Sequence, residues 1–245
     1  GPALSFVGNT MGYPVKIFLP AQLKSAYNSA DRVRIARLYG AEVTPIDINE
    51  FIEDADKLEG VERAASFVAI RMKQAYDLQQ NDPSHWWANQ LCNPDNTKAH
   101  REFTGREILK QMDGTIDAWV ASVGTGGTLL GVAQTLKEAC PDMKVAGVVP
   151  TDDPRIEWVR SRAVHKALKK FGGPELRFII EDILEGNVMD EEITIENTDA
   201  KNMADRLCSE EGLYCGMSSG ANVCAAIQMA KTMDKGTKIV TVIVD

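Results

Sequence analysis

Glycines and threonines fill the junction between a buried strand and a helix at Ala121–Gly131, which reads ASVGTGGTLLG. Glycine lets a ligand come close to the backbone, and the first N–H groups of a helix point at whatever lies beyond its end. The helix dipole favours an anion there, and Thr125 and Thr128 add hydroxyl donors. A structural turn needs fewer such residues, so the segment Gly124–Thr128 indicates a phosphate site.

The two common nucleotide-binding motifs fit this segment poorly. A P-loop needs a lysine directly after its second glycine, but Thr128 follows Gly127. A dinucleotide fingerprint needs a third glycine where Leu129 stands, and an acid at the end of the next strand. Asp152 and Asp153 lie just beyond that strand. A nucleotide-binding α/β protein therefore stays open as an alternative.

A second cluster of small polar residues, Gly216–Ala221, opens a predicted helix. Ser218 or Ser219 can serve there as the helix N-cap, or can direct a hydroxyl at a ligand. The third cluster, Gln90–Asn96, follows a predicted strand. Its amides suit a carboxylate ligand at the carboxyl ends of strands, although turn and cap roles explain most of them without a ligand.

The elements that would position these clusters alternate along the chain. The predicted strands are Val15–Leu19, Ala41–Ile46, His85–Ala88, Ile116–Val123, Lys144–Val149 and Lys238–Val244. The predicted helices are Asp31–Tyr39, Val61–Leu78, Pro94–Lys110, Leu129–Ala139, Ala200–Glu211 and Ala221–Thr232. The acidic stretch Glu181–Asp199 is expected to be a surface connection with one short strand near Ile193–Ile195. Such alternation predicts an α/β fold with mostly parallel sheets flanked by helices.

Composition excludes several classes of protein. The 245 residues carry a net charge of -8, which disfavours binding to nucleic acid or to anionic membranes. The five cysteines form no C-x-x-C pair, and the three histidines are widely scattered, so we expect no metal site. Buried, reduced thiols and the lack of a basic segment within residues 1–12 favour a cytoplasmic protein without a signal peptide.

Together the three clusters resemble the cysteine synthase (O-acetylserine sulfhydrylase) family, pyridoxal-phosphate enzymes of fold type II, with cystathionine β-synthase as a close relative. The segments that carry the resemblance are GTGGTLLGV, GMSSGANV and QLCNPDNTKAH followed by TGREI. Residues 12–20 and 32–43 resemble the family's strand–helix–strand unit, and VVPTDDP resembles the strand end after the GTGGT helix. The resemblance covers nearly the whole chain in order, and it implies a tryptophan synthase β-like fold.

The resemblance assigns roles to individual residues. The positions that would hold the cofactor phosphate are Gly124, Thr125, Gly126, Gly127 and Thr128. Ser218 matches the serine that faces the pyridine nitrogen, where a neutral hydroxyl suits β-elimination better than transamination. Gln90 matches the glutamine near the substrate carboxylate, and His100 matches a histidine expected to be structural.

The chain also departs from the family pattern. The lysine that would hold pyridoxal phosphate as a Schiff base lies in an S-x-K-D-R segment, which residues 1–245 do not contain. Gly8–Gly12 imitates the family's T-S-G-N-T-G loop, but a strand follows it too soon for the helix that should come next. A glycine-rich stretch at the mouth of the site is replaced by Phe178–Ile183, which has no glycine.

The resemblance implies β-replacement on an activated serine such as O-acetylserine, with sulfide or a thiol giving cysteine or a related amino acid. It also implies a cytoplasmic homodimer with a small amino-acid substrate. We expect a smaller, incomplete domain at 1–93, a larger cofactor-binding domain at 94–245, and a chain that is cut at both ends. Besides the nucleotide-binding reading, a catalytically incomplete fragment or scaffold of the same family stays open, because the lysine is lacking.

Overall fold

The computed structural model describes residues 1–20, 29–52, 57–151 and 163–244, and these residues form two compact units. The first unit comprises Gly1–Trp87 and Arg162–Glu175, and the second comprises Ala88–Ser161 and Leu176–Asp245. Asp152 and Asp153, the acids of the dinucleotide alternative, lie outside the described residues.

The first unit packs helices around a pair of parallel strands. Its elements are α1 (Pro2–Thr10), β1 (Lys16–Pro20), α2 (Ser29–Leu38), β2 (Glu42–Ile46), α3 (Gly60–Asn81) and α7 (Ala163–Lys170). The strands run in parallel with Ile17 opposite Val43. A small core of Ile46, Ile48 and Ile70 lies beneath them. Since α1 ends at Thr10 and β1 begins at Lys16, no helix separates Gly8–Gly12 from the strand.

The second unit is an all-parallel, four-stranded sheet with helices around it. Its strands are β3 (Ala118–Ser122), β4 (Lys144–Pro150), β5 (Glu191–Ile195) and β6 (Ile239–Thr241), in the order β5-β4-β3-β6. Its helices are α4 (Pro94–Ala99), a π-helical turn (His100–Thr104), α5 (Gly105–Gln111), α6 (Gly127–Ala139), α8 (Ile179–Glu185), α9 (Asn197–Glu211) and α10 (Met217–Ala230). The predicted α/β fold with parallel sheets is confirmed.

Both faces of this sheet are covered, as the apolar strand sequences require. On one face Val120 and Val148 pack against Ala225 and Met229 of α10. Trp119 points to the other face, where it is fully buried and its indole N–H donates to the carbonyl of Leu129 at 3.2 Å. The sheet therefore fixes the carboxyl end of β3, where the glycine-rich turn begins.

The predicted strand at His85–Ala88 is wrong, because those residues have no strand structure. Trp87 instead packs edge-on against Tyr76 of α3, with 6.5 Å between ring centroids. Its backbone N–H donates to the side-chain oxygen of Gln79 at 2.7 Å, so a side chain takes the place of a strand partner.

The expectation of a surface connection from Glu181 is also wrong at its start, since α8 lies there. Ile179, Ile180 and Ile183 of this helix are buried, and their spacing puts them on one face. The side-chain carboxylate of Glu181 accepts from the backbone N–H of Phe178 at 2.7 Å and so supports the first turn. The short strand predicted near Ile193 is present as β5.

All five cysteines are free thiols, but they are less buried than the sequence suggested: Cys208 is exposed and the others are partly exposed. Within the described part of the chain, no cluster of His, Cys, Asp or Glu side chains could hold a metal ion. Among the same residues, no helix combines the length and apolar character that a membrane crossing requires.

Candidate functional site

The glycine-rich turn joins the end of β3 to the first residue of α6. Gly126 is the N-cap residue and has φ +92°, a left-handed conformation that favours glycine. A Cβ atom there would lie 2.7 Å from the Cδ1 atom of Ile183 in α8. The turn therefore requires glycine at Gly126 for both conformation and space, and it leaves the first N–H groups of α6 without intrahelical partners.

Helix α4 lies directly against the start of α6. A Cβ atom at Gly127 would lie 2.2 Å from the side-chain oxygen of Asn96, and one at Gly131 would lie 2.3 Å from the carbonyl oxygen of Thr97. These two glycines allow the backbones to approach closely. The cluster Gln90–Asn96 is thereby held at the turn.

Hydrogen bonds from Asn96 connect that cluster to the turn. Its side-chain amide nitrogen donates to the backbone carbonyl of Gln90 at 2.7 Å and to the hydroxyl of Thr125 at 3.0 Å. The Thr125 hydroxyl also accepts from the backbone N–H of Gly127 at 3.3 Å. Gln90 itself is exposed, so its side chain is accessible to a ligand. The sequence predicted Gln90 and Thr125 as site residues, and the structure links them through Asn96.

His100 connects the turn to the π-helical segment. Its Nε2 atom lies 3.1 Å from the hydroxyl of Thr128, and its Nδ1 atom lies 3.1 Å from the hydroxyl of Thr104. Burial lowers the pKa of His100 below its usual value, because the charged ring would lose hydration. A neutral imidazole between two hydroxyl groups fits the structural role expected of this histidine.

Ser218 and Ser219 lie in the first turn of α10, and they differ in their surroundings. The N-cap of α10 is Gly216, so neither serine takes the capping role that the sequence left open for them. Ser219 is fully buried. Its hydroxyl accepts a hydrogen bond from the backbone N–H of Val244 at 2.6 Å and donates one to the backbone carbonyl of Val244. Ser218 is exposed. Of the two hydroxyl groups, that of Ser218 is the one accessible to a ligand.

The turn and Ser218 belong to the same edge of the sheet. The turn follows the carboxyl end of β3, and Ser219 binds Val244, which follows the carboxyl end of β6. Since β3 and β6 are hydrogen-bonded neighbours in parallel, their carboxyl ends point to the same edge of the sheet. The fold thus places the glycine-rich turn and an exposed hydroxyl at the same edge of the sheet, the edge where parallel sheets commonly bind ligands.

Sequence reasoning missed three parts of this arrangement. The sequence indicated Asn96 only as one amide of a cluster and Ser219 only as a possible helix cap. It did not predict helix α8.

Asn222 is fully buried, and its side-chain amide donates to the Val242 carbonyl at 3.0 Å. Its side-chain oxygen has no hydrogen-bond partner among the described residues. Burial raises the pKa of the Cys92 thiol to about 12, which disfavours the thiolate form that a nucleophile needs.

A groove of about 780 Å³ opens elsewhere on this unit, between α4, α6 and α8. Neither the turn nor Ser218 lines it. Two ion pairs lie in its wall, since Arg101 lies 2.7 Å from Glu138 and Arg177 lies 2.7 Å from Asp182. These ion pairs neutralise much of the charge of the groove, so the site at the strand ends is the better candidate.

Comparison with known proteins gives a consistent result. The profile of the pyridoxal-phosphate-dependent enzyme family matches residues 1–245. A cysteine synthase of Staphylococcus aureus (strain Mu50 / ATCC 700699) is 32% identical over 244 residues, which are 99% of this chain and 70% of the relative.

Solved structures agree with the sequence comparison. A hydrogen sulfide-producing enzyme from Fusobacterium nucleatum superposes with a TM-score of 0.73 at 28% identity, covering 99% of this chain and 73% of that one. O-Acetylserine sulfhydrylase isoform 3 from Entamoeba histolytica superposes with a TM-score of 0.72 at 28% identity, covering 100% of this chain and 65% of that one.

Proposed function

Because the chain belongs to the pyridoxal-phosphate-dependent enzymes of fold type II, in the cysteine synthase group, we propose a reaction for it. The proposed reaction is β-replacement on an activated serine. The substrate class is O-acetylserine-like, and the incoming nucleophile is sulfide or a thiol. The observation that carries the proposal is the pairing of the glycine-rich turn with the exposed Ser218 at adjacent strand ends.

The overall reaction exchanges one bond at the β-carbon of the substrate. The bond from Cβ to the acetate oxygen breaks and acetate leaves with the electron pair, while the sulfur nucleophile forms the new bond to Cβ. The proton lost from Cα is returned to it, so the product is an amino acid with a thiol or thioether side chain. Bound pyridoxal phosphate supplies the electron sink that makes the α-proton acidic.

The residues of the turn fit the phosphate group of this cofactor. The left-handed Gly126 starts α6 directly after the turn, so the first N–H groups of α6 can donate to an anion there. Thr125 adds a hydroxyl donor from the turn, and Thr128 adds a second hydroxyl in contact with neutral His100. No cationic side chain is needed, because the helix dipole and the N–H groups stabilise the anion.

Ser218 would orient the ring by donating its hydroxyl hydrogen to the pyridine nitrogen. A hydroxyl is neutral, so it cannot keep that nitrogen protonated as a carboxylate would. Gln90, exposed beside the turn, would bind the substrate carboxylate through its amide. The lysine that holds the cofactor has no motif match among residues 1–245, and this proposal assigns that role to none of them.

The function can be tested by amino-acid analysis of the products. We expect the protein, loaded with pyridoxal phosphate, to convert O-acetylserine and sulfide into cysteine and acetate in equal amounts. If the chain is instead the catalytically incomplete alternative, it is expected to bind the cofactor and form no cysteine, because residues 1–245 contain no motif lysine. Tight binding of ATP or NAD with no affinity for pyridoxal phosphate would instead favour the nucleotide-binding alternative.

The role of Ser218 predicts different results for two substitutions. Ser218→Ala is expected to lower the rate of acetate release by about tenfold, since one hydrogen bond that orients the ring is lost. Ser218→Asp is expected to favour a protonated ring nitrogen and to add pyridoxamine phosphate and 3-acetoxypyruvate, the keto acid that transamination of O-acetylserine leaves. Both variants should fold normally, because the side chain is exposed. Unchanged rates and products in both would remove Ser218 from the site.

Two further expectations from the resemblance belong to this proposal, namely assembly as a homodimer and a cytoplasmic location. The predicted division into a smaller domain at 1–93 and a cofactor-binding domain at 94–245 also belongs to it. The residues proposed to hold the phosphate and Ser218 all lie in the second compact unit.

A further inference from the structure

The side-chain amide of Asn96 donates both of its hydrogens to residues of the candidate site. One is donated to the carbonyl oxygen of Gln90 at 2.7 Å and the other to the hydroxyl oxygen of Thr125 at 3.0 Å. Because the Gln90 carbonyl can only accept, the nitrogen of the amide must face it. The orientation of the Asn96 side chain is therefore fixed by the chemistry of its partners.

The hydroxyl oxygen of Thr125 accepts two hydrogen bonds, and these determine whether the hydroxyl can donate or accept a further one. Its oxygen accepts from Asn96 at 3.0 Å and from the backbone N–H of Gly127 at 3.3 Å. A hydroxyl has two lone pairs and one hydrogen, so both acceptor positions are occupied and only the hydrogen is left. Thr125 can then interact with a further group only as a donor, and its two incoming bonds polarise it for that role.

We propose that Asn96 is a positioning residue that makes the Thr125 hydroxyl an obligate donor to the cofactor phosphate. The same amide ties the carbonyl of Gln90 to the turn, so the segment that would bind the substrate is coupled to the segment that would bind the phosphate. This inference rests on the proposed function, because the phosphate is that of the cofactor. Asn96 itself does not touch the phosphate.

Replacement of Asn96 by aspartate or alanine separates this role from packing. The carboxylate of Asn96→Asp can only accept, so it would take the hydrogen of Thr125 and place a negative charge near the phosphate. Asn96→Ala removes the donor without adding charge. We expect the affinity for pyridoxal phosphate to fall about tenfold in Asn96→Ala and about 100-fold in Asn96→Asp.

The measurement compares pyridoxal phosphate with pyridoxal, which lacks the phosphate, by equilibrium dialysis against each protein. Loss of a hydrogen-bond donor to the phosphate lowers only the affinity for pyridoxal phosphate. The ratio of the affinity for pyridoxal phosphate to that for pyridoxal should therefore fall in Asn96→Ala and in Asn96→Asp. A change in packing would lower both affinities together. Thr125→Val should lower the ratio as well, and Asn96→Ala should add little in that background, since it acts through Thr125.

Asn93 provides a matched control in the same helix. Its side-chain oxygen caps α4 by accepting from the N–H of Asp95 at 2.9 Å, and its nitrogen donates to the Ala88 carbonyl at 3.2 Å. Asn93→Ala should lower the melting temperature and leave the ratio of affinities unchanged.

The possible failures can be distinguished. If the unmodified protein binds pyridoxal phosphate no better than pyridoxal, the proposed phosphate site itself is wrong. If it prefers pyridoxal phosphate, but folded Asn96→Ala and Asn96→Asp keep that preference, the proposed function stands and the role of Asn96 is overturned.

Discussion

Gly126→Val is expected to remove cofactor binding almost completely. A valine at φ +92° is strained, and its Cβ would lie 2.7 Å from the side chain of Ile183 and 3.4 Å from that of Ile179. The turn can relieve both problems only by moving the N–H groups that would face the phosphate. We expect the affinity for pyridoxal phosphate to fall about 1,000-fold, which corresponds to about 4 kcal/mol.

The same substitution should lower the free energy of unfolding of the cofactor-free protein by about 2–4 kcal/mol, from backbone strain and overpacking. Gly124→Ala is the matched control for stability. Gly124 has neither a left-handed φ nor any atom within 4 Å of an added Cβ, so that variant should unfold like the original protein. Dialysis and thermal unfolding measure the two effects separately. Normal cofactor binding by Gly126→Val would show that the turn is not the phosphate site.

Gly220→Val is expected to be the most destabilising of the substitutions considered. An added Cβ would lie 1.9 Å from the carbonyl oxygen of Ala200 and 2.8 Å from the backbone nitrogen of Ala204, both in α9. These are backbone atoms of a helix, so no side-chain rotation relieves the contact. We expect the free energy of unfolding to fall by about 3 kcal/mol or more, which lowers the melting temperature by roughly 6–12 °C.

Ala230→Val is a suitable control for Gly220→Val, because it adds the same kind of bulk to the same helix at an exposed position. It should cost only about 0.5 kcal/mol through helix propensity. Gly220 lies two residues after Ser218, so any surviving Gly220→Val protein should also show the acetate-release defect of Ser218→Ala. Equal melting temperatures for Gly220→Val and Ala230→Val would contradict the close packing of α9 against α10.

The sequence predicted those structural features that depend only on residues close together in the chain. The run GTGGT between an apolar strand and a helix was sufficient to locate the turn, since glycine content and hydrophobic pattern are local properties. The need for glycine at Gly127 and Gly131 was not predictable in the same way. It arises from Asn96 and Thr97, which lie about thirty residues earlier and approach only in the folded chain.

The wrong predictions have a related cause. Trp86 and Trp87 favour a strand by composition, but Tyr76 and Gln79 of α3 supply the packing and the hydrogen bond that replace it. The acidic residues of α8 concealed its apolar face, because Glu181 supports the helix start rather than a loop. The burial of Ser219 could not be predicted either, because it depends on a hydrogen bond to Val244, which is 25 residues away along the chain.

The pairing of β6 with β3 has a consequence for the order of folding during synthesis. The hydroxyl of Thr241 donates to the carbonyl of Val120 at 2.7 Å, across 121 residues of chain. The ribosome makes residues in order, so β3 and its turn emerge well before the strand that closes one of their edges. Pairings this distant in sequence form slowly and leave an uncovered strand edge in the meantime. The nascent chain therefore has a long interval in which β3 lacks this neighbour, and the edge that carries the candidate site is completed only after residues 239–244 have been made.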